Sequence, residues 1–379
     1  MGKRQSNIEL LRIVAMLMII GFHLAANGVL LCYDSSLDRL QSYSEGSIFN
    51  KLFTGLLMPG GHIGVGIFFA ITGYFLVTAS KINYKKTFIT VRFYALLLSV
   101  VALICLLCGY SFPGLSKYGV LSSVFLCLTV PAFGNIWWFI TAYVILLFLA
   151  PAINNLMKPD GNDVADNQIN TRRGGGILLL AWILGYGISW FPGTGICYLW
   201  RAVFFYMIGA YIRICQPKIS FLESKYVSSI TLVVLWILSS LFMTYSYTNV
   251  FNPDSKIKLL SSVSLAFNEV FVIPVFVYII IKEFLQIKIP YNEKINKVSS
   301  TVFGIYIIHE CPFMRPIIWQ SLLGMSNIQY HSTWYPFTAL LSIATVFLAG
   351  MIIDLLRQKY AERVMNNWTD IIVSKFSIK

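Results

Sequence analysis

Eleven apolar runs divide the sequence, near residues 8–31, 62–80, 88–110, 118–133, 136–153, 176–191, 197–214, 227–248, 262–281, 299–318 and 334–356. Most approach or exceed the ~20 residues that a helix needs to cross the hydrocarbon core of a bilayer. Lipid offers no hydrogen-bond partners, so such runs must satisfy their backbones internally, as helices. Composition agrees, with 57% hydrophobic and 12% charged residues. An ordinary soluble domain carries about 25% charged residues. A soluble enzyme, a disordered regulator and a nucleic-acid module are thereby excluded. The formal charge of +13 marks membrane-flanking loops rather than a DNA or RNA surface. The seven cysteines are odd in number and several lie in apolar runs, so they support no disulfide framework.

Basic residues set the orientation of the runs. Lys3, Arg4 and Arg12, then Lys81, Lys85, Lys86 and Arg92, belong inside, as do Arg213, Lys218 and Lys225. Lys282, Lys288, Lys294 and Lys297 follow, and finally Arg357, Lys359, Arg363, Lys375 and Lys379. Eleven crossings break this alternation between residues 110 and 154. The shortest run, 118–133, contains Ser122, Ser123 and Thr129 and meets Pro131, so it reads as a re-entrant or interfacial segment. The expected fold is all-α: a polytopic membrane helical bundle of ten spans plus that short segment, with both termini cytoplasmic. On this topology 22 of the 29 Lys and Arg lie at the inner side. Residues 1–356 form one integral membrane domain, and 357–379 a basic amphipathic tail on the inner leaflet.

Ionisable groups inside a bilayer cost several kcal/mol unless paired or wet, so each one is a functional suspect. The first run holds Glu9, Arg12 and His23. Glu9 and Arg12 are three apart and pair on one helix face. Arg12 and His23 are eleven apart, close to three turns, and share that face over roughly 16 Å. A cation thus stands at one end of a stripe whose other end is a titratable base. A second polar set includes Arg201, Glu269, His309, Glu310 and Arg315, with Trp137 and Trp138 at an outer boundary. His62 and His331 fall at span edges. No His, Cys and acidic residues show metal-ligand spacing, and there is no G-x-S-x-G, so neither a metal hydrolase nor a serine hydrolase is expected.

The acid, arginine and histidine of the first run resemble the signature of the membrane-bound acyltransferase 3 family. Other stretches agree in order. "HIGVGIFFAITGYFL" (62–76) is similar to that family's second span, with Thr72 where a serine is usual. "TFITVRFYALL" (87–97) resembles the basic start of its third span, with Arg92 alone where two arginines are often found. "IWWFITAYVILLFLAP" (136–151), "RAVFFYMIGAYI" (201–212) and "VFGIYIIHECP" (302–312) resemble its later segments. The resemblance implies a stand-alone integral membrane O-acyltransferase of the bacterial cytoplasmic membrane. Such an enzyme moves an acyl group, usually acetyl, from cytoplasmic acyl-CoA to a hydroxyl of an extracytoplasmic or lipid-linked glycan.

That chemistry assigns roles to residues. A base is needed at the acceptor hydroxyl, and His23 could take its proton or itself carry the acyl group. Glu9 would orient Arg12. The phosphates of acetyl-CoA, or another acyl-CoA, call for cations at the inner face, where Arg12, Arg92, Lys85 and Lys86 are expected. Arg201, His309, Trp138, Tyr143 and Glu269 are the candidate acceptor contacts. The expected partners are membrane lipid, the glycan acceptor and acyl-CoA, with no nucleic acid; a homo-oligomer is compatible with all of this. A proton-coupled transporter or exporter using the same His, Arg and Glu residues is the alternative, and a structural component of a polysaccharide assembly machine a third reading.

Overall fold

The computed structural model describes residues 5–30, 37–79, 81–82, 84–112, 115–132, 136–158, 167–188, 197–216, 224–249, 252–325, 329–362 and 364. Among them all regular secondary structure is helical, and there are no strands. In order the helices are α1 (Ser6–His23), α2 (Leu37–Glu45), α3 (Ile48–Leu57), α4 (Pro59–Leu76), α5 (Tyr84–Leu107), α6 (Lys117–Thr129), α7 (Trp138–Met157) and α8 (Asn167–Leu180). Then come α9 (Cys197–Cys215), α10 (Lys225–Asn249), α11 (Ser255–Phe267), α12 (Ile273–Gln286), α13 (Glu293–Ser299), α14 (Val302–His309), α15 (Met314–Pro316) and α16 (Tyr335–Leu356). Wider π-helical turns continue several of them, at Leu24–Leu30, Ala181–Gly187, Asn268–Val272, Ile317–Leu322 and Arg357–Ala361.

Among the described residues, seven helical stretches are long and apolar enough to cross a membrane: Ser6–Leu30, Ile48–Leu76, Tyr84–Leu107, Trp138–Met157, Lys225–Asn249, Ser255–Gln286 and Tyr335–Ala361. Their outward faces suit hydrocarbon. On α5 the exposed stripe Leu96, Val100, Ile104 and Leu107 recurs at helical spacing, and Ile230, Val233, Val234, Ile237 and Leu241 do the same on α10. Such stripes would be an aggregation liability in water and are ordinary in lipid. The protein is an integral membrane helical bundle.

Four of the eleven runs are not among these seven stretches; one of them, 197–214, forms α9, of 19 residues. The 118–133 run forms α6, of 13 residues. At 1.5 Å per residue that is about 20 Å, short of a hydrocarbon core of about 30 Å. Ser116 caps its start by accepting from the Gly119 N–H, and Pro131 follows its end. Residues 176–187 of the 176–191 run lie in α8 and its π continuation, and 189–191 lie outside the described residues. The 299–318 run, read above as one crossing, is not one helix. It is divided into α14, an unwound turn at residues 310–313, and α15 with its π continuation. Pro312 removes a backbone donor and disfavours helix at Cys311, which accounts for the break. The termini read as cytoplasmic, residues 1–4 and 365–379, lie outside the described residues. Arg357, read above as the start of the tail, belongs instead to the bundle: the last helix runs on through Ala361, and Arg357 is buried.

At the centre, α4 packs most extensively on α9 and α1. Apolar side chains gain little by leaving lipid for another helix, so close backbone approach must supply the adhesion. Gly73 and Gly209 provide it reciprocally. A Cβ at Gly73 would lie 1.9 Å from the Tyr206 carbonyl oxygen, and one at Gly209 would lie 1.8 Å from that of Ala70. Gly209→Ala should therefore cost about 1–3 kcal/mol or more, read as a lowered unfolding midpoint in detergent. Gly176→Ala, within α8 where a Cβ meets nothing within 4 Å, should hold the midpoint or raise it slightly, since alanine favours helix over glycine by about 0.5–1 kcal/mol.

Candidate active site

α1 carries Arg12 and His23 on one face, and each opens into its own cavity. The Arg12 cavity, of about 300 Å³, is lined by Lys86, Tyr143, Ser299, Ser300 and Arg357 among polar groups. The His23 cavity, of about 220 Å³, is lined by His62, Trp138, Arg201, Tyr247 and Glu310. Ile19, Val65 and Tyr306 line both.

In the first cavity, the Arg12 guanidinium is 28% exposed while its partner Glu9 is buried, at 3.2 Å. The Ser299 hydroxyl donates to Glu9 at 2.5 Å. Glu9 thus pins Arg12 from below and leaves its outer N–H groups facing the cavity. Arg357 is 5% exposed and donates to Asp354 at 2.7 Å. Asp354 also accepts from Tyr94 at 2.6 Å. This cluster needs Gly304, where a Cβ would stand 2.2 Å from an Asp354 oxygen. Arg12, Lys86 and Arg357 give the cavity a cationic rim suited to phosphate.

In the second cavity, His23 is the hub. Its Nδ1 lies 3.0 Å from His309 Nε2, and its Nε2 lies 3.1 Å from a Glu310 oxygen. His309 Nδ1 sits 2.6 Å from the Ile305 carbonyl, which can only accept. That nitrogen therefore carries the proton, His309 Nε2 is an acceptor, and His23 Nδ1 must donate to it. The lone pair of a neutral His23 is left on Nε2, facing Glu310 and the cavity. The 3.1 Å contact is a close approach and not a hydrogen bond, since that Glu310 oxygen has no hydrogen-bond partner among the described residues, so the Nε2 lone pair stays open to the cavity. Arg315 binds the other Glu310 oxygen. The Trp137 indole donates to the Ile307 carbonyl at 3.0 Å, fixing α14 just before the reactive turn.

No metal-ligand set is visible in the sequence spacing, yet the fold brings His23, His309 and Glu310 within 4.8 Å of one another. By distance they could hold a cation. As arranged, the two His23 nitrogens serve different neighbours, and the Arg315 guanidinium supplies the positive charge beside Glu310. The geometry is that of two histidines hydrogen-bonded in series to the Ile305 carbonyl, with Glu310 close beside them.

Across the cavity lies a second cluster. Glu269, fully buried, accepts from Arg201 at 2.8 Å and from Tyr186 at 3.1 Å, and pairs with His62 Nδ1. His62 Nε2 is 3.3 Å from the Tyr247 hydroxyl. The Arg201 guanidinium lies 5.7 Å above the Trp138 ring.

Several expected assignments change. Tyr143, a candidate acceptor contact, lines the Arg12 cavity instead. Glu269 and His309 line neither cavity and act from behind, on Arg201 with His62 and on His23. Lys85 and Arg92 do not line the Arg12 cavity; Arg92 instead binds the Leu128 carbonyl at the end of α6, where a helix dipole favours a cation. His62, Tyr247 and Arg357 were not among the candidates. For Arg357 a signal was present: Asp354 stands three residues before it, the spacing of a helical ion pair.

The family model described as an acyltransferase domain matches residues 5–354, nearly the whole chain. The chain belongs to the acyltransferase 3 family. It is a membrane acyltransferase, and both cavities lie within the matched region apart from Arg357. No curated protein and no solved structure gives a significant match to it.

Proposed function

We propose that this acyltransferase moves an acyl group, most simply acetyl, from acyl-CoA held in the Arg12 cavity to a hydroxyl of a cell-envelope or exported glycan, or its lipid-linked precursor, entering the His23 cavity. The observation that carries this reading is one helix presenting a cation to one cavity and a base to the other, with the two cavities meeting between them. Arg12, Lys86 and Arg357 suit the phosphates of CoA. Trp138 offers a flat apolar face to a sugar ring, and Arg201 and His62 offer donors to its hydroxyls.

The transfer then needs few parts. His23 Nε2 takes the proton of the acceptor hydroxyl as its oxygen attacks the thioester carbonyl carbon. The C–O bond forms, the C–S bond breaks, and the sulfur leaves as a thiolate that takes up the proton accepted by His23. His309, which accepts from His23 Nδ1, holds His23 in the tautomer and orientation this requires. Placed in a bacterial cytoplasmic membrane with Arg12 facing inward, the same parts connect a cytoplasmic donor with an extracytoplasmic acceptor.

The test supplies purified protein in nanodiscs with acetyl-labelled acetyl-CoA, with and without glycan from the cell envelope. Label should move to glycan. Arg12→Gln should weaken acetyl-CoA binding by about tenfold or more, since a hydrogen bond to a charged group contributes about 1.5–3 kcal/mol. A wild type that neither binds CoA nor moves label, while vesicles containing it accumulate a solute, would overturn this reading in favour of a transporter.

A further inference from the structure

The two cavities share Ile19, Val65 and Tyr306, and all three side chains are buried, at 2%, 4% and 3% exposure. Ile19 lies one turn before His23 on the same face of α1. Val65 faces it from α4, and Tyr306 closes the third side from α14. Two of the three are β-branched and therefore stiff at χ1.

Their spacing is set by backbone rather than by side-chain choice. A Cβ at Gly64 would stand 2.7 Å from both the Ala15 carbonyl oxygen and Ile19 Cγ1, so α4 presses directly on Ile19. Tyr306 is wedged between the rings of Phe139, at 5.0 Å between centroids, and His309, at 6.0 Å. None of the three can swing aside without moving a packed neighbour. The approach from the Arg12 cavity is apolar, with Met16, Phe68 and Phe139 along it.

We infer that Ile19, Val65 and Tyr306 form the size filter of the donor site, through which a short acyl group reaches His23 while the rest of the donor stays on the Arg12 side. This rests on the reading of the Arg12 cavity as the acyl-CoA site. It makes acyl chain length the property of the donor that is selected at this point. It also names the positions at which that choice is made, none of which bears a charge or a titratable group that touches the donor's phosphates. A rigid apolar constriction discriminates by about 10–200-fold per added methylene, so the filter is expected to be steep.

The test titrates acetyl-, propionyl-, butyryl- and hexanoyl-CoA, and free CoA as the reference, into the purified protein in nanodiscs by calorimetry. The quantity read is the affinity of each acyl-CoA relative to free CoA in the same variant. Val65→Ala and Ile19→Val widen the constriction and should raise the relative affinity of the butyryl and hexanoyl donors about tenfold or more. Val65→Ile narrows it and should lower that of propionyl-CoA by a similar factor. Opposite shifts from two substitutions at one residue would not arise from a general loss of structure, and the two Val65 variants decide the matter if Ile19→Val does not fold. An unchanged chain-length order in variants that still bind free CoA would overturn the filter alone. A wild type that binds neither CoA nor any acyl-CoA would overturn the donor-site reading, and the filter with it.

Discussion

Replacing His23 with glutamine is expected to lower acyl transfer by about 10²–10⁴-fold, the range of a lost general base, with acyl-CoA binding retained. Glutamine keeps a donor for His309 Nε2 and a polar group toward Glu310, so the bundle should elute and unfold as the wild type does. His309 is poorly placed to stand in for His23. Its Nδ1 is committed to the Ile305 carbonyl, and it does not line the His23 cavity. The same experiment separates the two roles open to His23. If the histidine carries the acyl group, wild-type protein incubated with labelled donor and no glycan should retain label after denaturation, and His23→Gln should not. If it acts as a base, neither protein retains label. A variant keeping more than about a tenth of the wild-type rate would remove His23 from the reaction.

Glu269→Ala should destabilise the protein by about 3–5 kcal/mol, because it removes the buried carboxylate to which Arg201 donates at 2.8 Å. Arg201 is 2% exposed and Glu269 fully buried, and Tyr186 and His62 lose an acceptor in the same stroke. The double substitution Arg201→Met with Glu269→Leu removes both charges, and a buried ion pair replaced by apolar side chains is often neutral or stabilising. The double variant should therefore unfold at a higher temperature than Glu269→Ala, while transfer to glycan stays lost because Arg201 no longer faces the His23 cavity. Equal midpoints for the single and double variants would show that Glu269 does not neutralise Arg201.

Residues on one helix were the most legible in the sequence. Glu9, Arg12 and His23 share α1, so their spacing alone fixed which face they occupy. Pairs brought together by tertiary structure were not. His62 and Glu269 are 207 positions apart, and nothing near His62 distinguishes it from a histidine at a span edge. Arg92 shows the converse error. A cation at the start of a run suits a phosphate equally well on paper, and only the folding back of α6 shows that a carbonyl takes it. The break in the 299–318 run had its signals in view, Pro312 and Pro316. They were outweighed by mean hydropathy, which counts apolar atoms and ignores whether the backbone can continue.

The π-helical turns have a consequence for how the reactive groups came to face inward at all. A π turn takes up an extra residue, and each residue of an α-helix advances by about 100°. Beyond such a turn, every later side chain is rotated by roughly that angle from where an unbroken α-helix would put it. One such turn begins directly after His23, one contains Tyr186, another Glu269, and another starts at Arg357. In crystallographic language these are dislocations: the helical lattice is regular on either side and slipped across the join. The apolar pattern can stay in register with lipid on both sides, with polar groups gathered at or beside the slip.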